Sequence, residues 1–360
     1  MGLALILALS AQISFACTGI VLKTVNDDYF VSRTMEWGTF ILDANIVVMP
    51  RGGHFTGETE KGATGMEWSA KYGFVGISLN KEFNYYLGEG LNEKGLCVCA
   101  FYFPGYASYK PYSKNDEKYM VSQLQLPSYL LQRAASIEDV KEIMRDIVVT
   151  PVYMDLIGIV PPLHWRVTDR DGHVLIIEIV NNGEVKLYDS EIGVITNAPG
   201  YDWHMTNLRN YVNLQPDPQP TMKLSNTLNL APLGAGSGFL GIPGDFTPPS
   251  RFVRAAAYSM SVPPLQDAYA AMTQSFTILD NFNIPIGSIH KVKKETNLRS
   301  STQWTSVCDL SNLVMYYHTY WNRTIRKISL KDINFKNVKM QVIPMDEVAK
   351  QDIKEVRISR

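Results

Sequence analysis

Residues 17–37 read Cys17-Thr-Gly-Ile-Val-Leu-Lys-Thr-Val-Asn-Asp-Asp-Tyr-Phe-Val-Ser-Arg-Thr-Met-Glu-Trp37. Gly19 to Thr24 and Tyr29 to Ser32 are rich in β-branched and aromatic residues. Asn26-Asp27-Asp28 between them is turn chemistry, so the stretch predicts a β-hairpin. What precedes it matters as much. Residues 1–16, MGLALILALSAQISFA, carry no charged side chain. The apolar run from Leu3 to Ala11 is far shorter than the ~20 residues of a membrane-spanning helix. It ends in Ser14-Phe15-Ala16, a small-x-small pattern that signal peptidase accepts. Removal of residues 1–16 would leave Cys17 as the first residue, at the head of the hairpin. A first-residue cysteine carries its own base, because its α-amino group titrates near ~7.7–8.0 on the same residue as the thiol. The competing reading is a lipid-anchored cysteine, which Ser14 and bulky Phe15 fit poorly.

Outward from the hairpin, strand signals dominate. Ile46 to Met49, Gly73 to Ser78 and Gly95 to Phe103 read as strands. Trp165 to Asp169, His173 to Val180 and Val185 to Tyr188 form a meander punctuated by Asp171-Gly172 and Asn182-Gly183. Helical spacing runs over Tyr119 to Ala135, interrupted by Pro127, and over Trp203 to Leu214, Arg251 to Ser261 and Leu265 to Leu279. Ser136 and Asp139 form a capping pattern before Val140. Val314 to His318 and Thr324 to Leu330 return to strand. Sheet segments at both ends with helices between predict an α+β domain whose termini share a sheet. The division expected is a removed leader, residues 1–16, and a single catalytic domain, 17–360.

A formal net charge of −1 argues against nucleic acid or an anionic membrane as partner. Aromatic content of 11% suits apolar pockets with polar rims. The six histidines are scattered and no CxxC or HExxH occurs, so no metal is expected. His164 and His204 read as packing or hydrogen-bonding residues. Cys97 and Cys99 point to one face of a strand and, with Cys308, read as buried thiols. Gly236-Ser-Gly238-Phe-Leu-Gly241 matches GxGxxG, but Ile-Pro-Gly-Asp-Phe-Thr-Pro-Pro follows, which cannot open the required helix. Asn322-Arg-Thr is a glycosylation sequon by pattern alone.

A thiol nucleophile needs a base, a nearby cation and donors for the oxyanion. Arg33 at the end of the second hairpin strand would lower the thiol pKa, and Glu36 would accept a hydrogen bond from the amine. An ordinary strand-end ion pair is the alternative for these two residues.

At this point the sequence resembles the choloylglycine hydrolases, which include conjugated bile salt hydrolases and penicillin V acylases. The resemblance rests on Cys-Thr-Gly at the processed start, Arg-x-Met-Glu-Trp after one hairpin, and Glu89-Gly-Leu-Asn-Glu-Lys-Gly-Leu96. It continues through Phe103-Pro-Gly-Tyr, Leu163-His-Trp, Ile195-Thr-Asn-Ala-Pro199, Asp202-Trp-His204 and Pro243-Gly-Asp-Phe-Thr-Pro-Pro-Ser-Arg251-Phe. It implies a four-layer αββα N-terminal nucleophile fold, with two antiparallel sheets between helical layers. By resemblance, Cys17 attacks an amide carbonyl and its amine relays the proton. Arg33 stands beside the sulfur, Asn197 supports oxyanion and amine, and Arg251 is a second site arginine. Two positions depart from the pattern. Glu36 stands where the family usually has Asp. Tyr102 stands where many bile salt hydrolases have an oxyanion Asn and penicillin acylases a Tyr. Trp37 is placed near the acyl pocket, where packing is an equal alternative. The implied reaction is hydrolysis of a linear amide: of glycine- or taurine-conjugated bile salts first, of penicillin V or another N-acyl substrate such as an acyl homoserine lactone second. No cofactor is implied. The expected partner is the small-molecule amide, with no nucleic acid and no stable membrane insertion. A homo-oligomer, a tetramer by resemblance, is expected in the periplasm or cell envelope.

Overall fold

The computed structural model describes residues 16–79, 86–289 and 300–358; all but the last residue of the expected leader lies outside them. The hairpin forms as its sequence predicts. Thr18–Lys23 pairs antiparallel with Tyr29–Glu36, with Gly19 opposite Arg33 and Val21 opposite Val31. Asp27 in the turn adopts φ 58°, a left-handed conformation that Asp tolerates at turns. The second hairpin strand then pairs along its other edge with Thr302–Asp309, near the far end of the sequence. Val314–Thr319 and Arg326–Ser329 complete an antiparallel sheet of five. The N-terminal strands thus share a sheet with strands of residues 302–329, while the last strand, Gln341–Pro344, joins the other sheet.

The larger sheet has eight strands, all antiparallel to their neighbours. Its order runs Glu184–Asp189, Val174–Val180, Leu163–Thr168, Cys97–Tyr102, Leu87–Asn92, Phe74–Ser78, Asn45–Met49, Gln341–Pro344. Side chains alternate across it with period two. Cys97, Cys99, Phe101, Val174 and Ile176 pack into one core with Ile20, Val307 and Met315 of the smaller sheet. Val98, Ala100, Trp165, Val167, Leu175 and Ile177 pack into a second core with Leu130, Leu131, Val140 and Met144. The latter four lie on the helices Leu126–Arg133 and Ile137–Asp146. On the far side of the smaller sheet lie the helices Pro248–Met260 and Ala268–Asp280. The layers are therefore helix, sheet, sheet, helix, the α+β sandwich expected of an N-terminal nucleophile fold. Each layer is held by apolar faces that no single layer could bury alone.

The helix expected over 119–135 is shorter. A 3₁₀ turn at Glu117–Tyr119 and a short strand at Met120–Ser122 precede a helix of Leu126–Arg133. Pro127 lies in the first turn of that helix, where its missing N–H costs nothing, so the helix opens at the proline instead of running through it. The expected helix over 203–214 spans Tyr201–Leu208 and tightens into a 3₁₀ turn at Arg209–Tyr211. Ser136 and Asp139 form the reciprocal capping box. The GxGxxG stretch is a 3₁₀ turn, Ala235–Phe239, and follows no strand of either main sheet. All four cysteines are unbridged and buried, with the Cys97 and Cys99 sulfurs 3.9 Å apart.

Candidate active site

Cys17 sits at the head of the first strand of the smaller sheet and is 3% exposed. A reciprocal backbone pair fixes it there: Gly19 N–H donates to the Ile195 carbonyl at 2.8 Å, and Ile195 N–H donates to that of Gly19 at 3.1 Å. Only glycine permits this approach, because a Cβ at residue 19 would lie 2.7 Å from Arg166 Nη1 and 2.8 Å from Phe101 Cζ. Cys17 is thereby brought beside the segment that carries Asn197.

Each polar atom of Cys17 has a fixed partner. Arg33 Nη2 donates to Sγ at 3.1 Å, and the backbone N–H of Glu36 also faces it. The Cys17 nitrogen donates to Asn197 Oδ1 at 2.9 Å, and the Cys17 carbonyl accepts from Arg251 Nη1. That nitrogen is a peptide nitrogen while Ala16 precedes it. It occupies the place the α-amino group takes once residues 1–16 are gone.

The partners are themselves held. Arg251 Nη2 donates to Asn197 Oδ1 at 2.6 Å, Nη1 to Thr18 Oγ1 at 2.9 Å and Nε to the Phe246 carbonyl at 2.9 Å. Asn197 Nδ2 donates to the Tyr102 carbonyl at 2.7 Å. With two donors on its oxygen and a carbonyl on its nitrogen, the orientation of the Asn197 amide is determined. Two buried histidines secure the same loop. His164 Nε2 donates to the Thr196 carbonyl at 3.2 Å, and His204 Nε2 to the Asn197 carbonyl at 2.9 Å. His164 stacks on Phe103 at 4.2 Å and His204 on Phe252 at 4.5 Å.

Charge and burial compete throughout. Burial pushes the Cys17 thiol up, and the Arg33 guanidinium opposes it without prevailing. Burial lowers Arg251 to about 10. Glu36 is pushed up to about 7 by burial, against the pull of Arg251. Its Oε1 accepts from the Thr302 hydroxyl at 3.3 Å, and the one N–H of the peptide nitrogen at Cys17 goes to Asn197. Burial lowers His204 to about 4. A histidine whose folded pKa lies below its unfolded value stabilises the fold above the unfolded pKa, and that stability is lost as pH falls toward the folded one. Protein stability is expected to drop by about 3 kcal/mol on this account between roughly pH 6.5 and 4. Urea unfolding across that range should show a shallower acid limb for His204→Gln. His318, lowered to about 4 by its own burial, keeps part of the slope in the variant.

Beside the sulfur lies a narrow apolar pocket of about 70 Å³. Cys17, Glu36, Trp37 and Tyr102 line it beside Met35, Leu42, Leu79, Leu87, Leu124, Met154, Ile157 and Leu163. The structure thus places Cys17, Arg33, Asn197 and Arg251 in one hydrogen-bonded network, with Glu36 beside it and Trp37 and Tyr102 on the pocket wall. Among the described residues no group of three or more His, Cys, Asp or Glu could hold a metal, and no helix is long and apolar enough to cross a membrane.

Residues 17–345 match the model of the linear amide C–N hydrolases, choloylglycine hydrolase family. The chain belongs to the choloylglycine hydrolase family. It is a hydrolase acting on linear amide C–N bonds. A bile salt hydrolase/transferase of Clostridium perfringens is 31% identical over 325 residues, 88% of this chain and 93% of that protein. The crystal structure of a variant of conjugated bile acid hydrolase from Clostridium perfringens superposes with a TM-score of 0.82 at 28% identity, covering 95% of this chain and all of that one. A penicillin V acylase of Pectobacterium atrosepticum is 25% identical over 349 residues, 91% of this chain and 85% of that protein.

The choloylglycine hydrolase site contains more than sequence reasoning had assigned. Glu89 pairs with Arg33 at 3.1 Å, and Trp304 and Ser306 hold Glu89. The available signal was a carboxylate inside the otherwise neutral strand Leu-Gly-Glu-Gly-Leu-Asn. His164 and His204 lie in quoted motifs, but only folding shows that both hold the Asn197 loop.

Proposed function

We propose that this protein hydrolyses the linear amide of glycine- or taurine-conjugated bile salts, with Cys17 as nucleophile and its own α-amino group as base. One observation carries the reading: Cys17 presents its sulfur to Arg33 and its nitrogen to Asn197 at the mouth of an apolar pocket. The bile salt hydrolase/transferase relative supports the substrate class.

In this mechanism the amine takes the Sγ proton as sulfur attacks the amide carbon. Tyr102, on the pocket wall, is the proposed donor to the oxyanion. The ammonium then gives its proton to the leaving nitrogen, and the amino acid departs as the C–N bond breaks. Water, deprotonated by the same amine, attacks the thioester and releases the acid. Asn197 Oδ1 occupies one N–H of the amine and leaves its lone pair for the thiol proton. Glu36, near neutrality in pKa, and Arg251 set the field around that amine.

A penicillin V acylase activity is the second reading, favoured by Tyr102 on the wall beside Cys17. The test is release of free taurine and glycine from their bile salt conjugates by protein beginning at Cys17, with penicillin V as a parallel substrate. Release from the conjugates is expected. Turnover of penicillin V alone would replace the first reading by the second.

Export with removal of residues 1–16 belongs to the same proposal, since the base exists only after cleavage. Mass spectrometry of the N-terminus in the cell-envelope fraction checks it, and an intact Met1 there would overturn it. A homo-oligomer is also proposed. Met222, Leu224, Leu230, Leu233 and Leu240 are exposed within residues 222–240, an apolar stretch that a second copy would cover.

A further inference from the structure

A carboxylate sits where the two apolar sheets meet. Glu89 lies on the strand Leu87–Asn92 of the larger sheet and is fully buried. Oε1 accepts from Trp304 Nε1 at 2.6 Å and from Ser306 Oγ at 2.7 Å, and Oε2 accepts from Arg33 Nη1 at 3.1 Å. All three donors come from the smaller sheet. The neighbouring residue allows the approach: a Cβ on Gly88 would lie 2.9 Å from Met35 Cε and 3.5 Å from Arg33 Nη1.

Burying an ion is unfavourable unless an opposite charge and hydrogen bonds replace its water. Arg33 is fully buried. Nη1, which meets Glu89, also donates to the Gly88 and Ala100 carbonyls; Nε donates to the Thr34 carbonyl and Nη2 to Met35 Sδ and Cys17 Sγ, and the guanidinium lies 4.8 Å from the Phe101 ring centre. Carbonyls orient a guanidinium but do not cancel its charge. Glu89 does both.

We propose that Glu89 is a positioning residue of this site: its carboxylate, braced by Trp304 and Ser306, clamps the Arg33 guanidinium so that Nη2 stays against the Cys17 sulfur. The proposal rests on the reading of Cys17 as the nucleophile. Arg33, Glu36, Arg251 and the amine of Cys17 itself face the sulfur, while Glu89, Glu36, Cys17 and Cys99 face Arg33. Glu89 acts on the sulfur through Arg33.

The sign of one measurement separates positioning from a simple field effect. Loss of a negative charge with Arg33 unmoved would favour the thiolate and move the thiol titration to lower pH. Loss of the clamp does the opposite. Without its counter-ion Arg33 draws in water and leaves the sulfur, and the thiolate loses its nearest cation.

The experiment is iodoacetamide labelling of Cys17 against pH, read by peptide mass spectrometry, in protein expressed from the full chain. Glu89→Gln is expected to move the labelling midpoint up by about one unit. Its kcat for amide hydrolysis should fall on the order of tenfold to a hundredfold, with KM unchanged. Glu89→Asp, which keeps the charge on a shorter arm, should recover part of both losses. A midpoint that stays or moves down overturns the proposal. Should Glu89→Gln fail to fold, Ser306→Ala leaves the carboxylate and removes one brace. A smaller upward shift is then expected, and an unmoved midpoint overturns the proposal equally. Labelling needs no amide substrate, so failure of the bile salt reading would leave this result standing.

Discussion

Protein carrying Cys17→Ala is expected to release neither taurine nor glycine from bile salt conjugates, a loss on the order of 10⁴–10⁶ in kcat, the scale seen when a covalent nucleophile is removed. No other thiol can take over. Cys97, Cys99 and Cys308 are buried between the sheets and none lines the pocket. Water attack without the sulfur would have to reach the carbonyl directly, past an apolar wall. The fold should survive, because the substitution removes a single atom whose polar contacts are Arg33, the Glu36 N–H and Met35 Sδ, the last at 4.0 Å. Near-UV circular dichroism and thermal unfolding like those of the unsubstituted protein would show that chemistry alone was lost. Protein that retains residues 1–16 is expected to be equally inert despite an intact thiol. Its residue-17 nitrogen is then an amide whose lone pair is delocalised into the carbonyl. Such a nitrogen still donates to Asn197 but takes no proton. Substantial turnover by the unprocessed chain, verified as such by mass spectrometry, would rule out the terminal amine as base.

The parts of this arrangement that were legible in the sequence are the local ones. The hairpin was readable because turn chemistry and β-branched residues coincide within 16 residues, Gly19 to Thr34, and its registry follows from the turn. The meander from residue 163 was readable for the same reason, with Gly172 and Gly183 both at positive φ where a side chain would be strained. Pro127 misled because an apolar helical period continues across it, and periodicity does not say on which side of a proline a helix will form. The link from Glu89 to Arg33 was invisible for a different reason. It depends on which strand of one sheet faces which strand of the other, and that is decided by three separate pairings across hundreds of residues. The roles of Asn197 and Arg251 came from resemblance, not from local pattern, since nothing in Thr-Asn-Ala-Pro or Pro-Ser-Arg-Phe says that they meet at Cys17. Glu36 shows the limit of that route. The motif puts a carboxylate beside Cys17, but it does not say that Thr302 bonds its oxygen or that Asn197 takes the one N–H of the peptide nitrogen.

The second large effect is expected from Asn197→Asp, which changes one atom and one charge. At present Asn197 Oδ1 accepts from the Cys17 nitrogen and from Arg251 Nη2, while Nδ2 donates to the Tyr102 carbonyl. A carboxylate preserves the two acceptor contacts but turns the third into oxygen against oxygen. It also sets a negative charge 2.9 Å from the nitrogen that must serve as base. An adjacent anion favours the ammonium form, raising the amine above its ordinary ~7.7–8.0. At neutral pH the amine then already holds a proton and cannot take the one on sulfur. We expect kcat at pH 7 to fall on the order of 10²–10³, with recovery as pH rises through the raised amine pKa. Asn197→Ala should also lose activity, by losing the acceptor, but without the alkaline shift, because no charge is added. The loop should hold in both variants, since His204 grips the Asn197 backbone carbonyl and not its side chain. The decisive comparison is the pH–rate profile of the two variants. If the Asp profile superimposed on that of the Ala variant, the Asn197 side chain would not be tuning the amine, and the case for Cys17 carrying its own base would lose its strongest structural support.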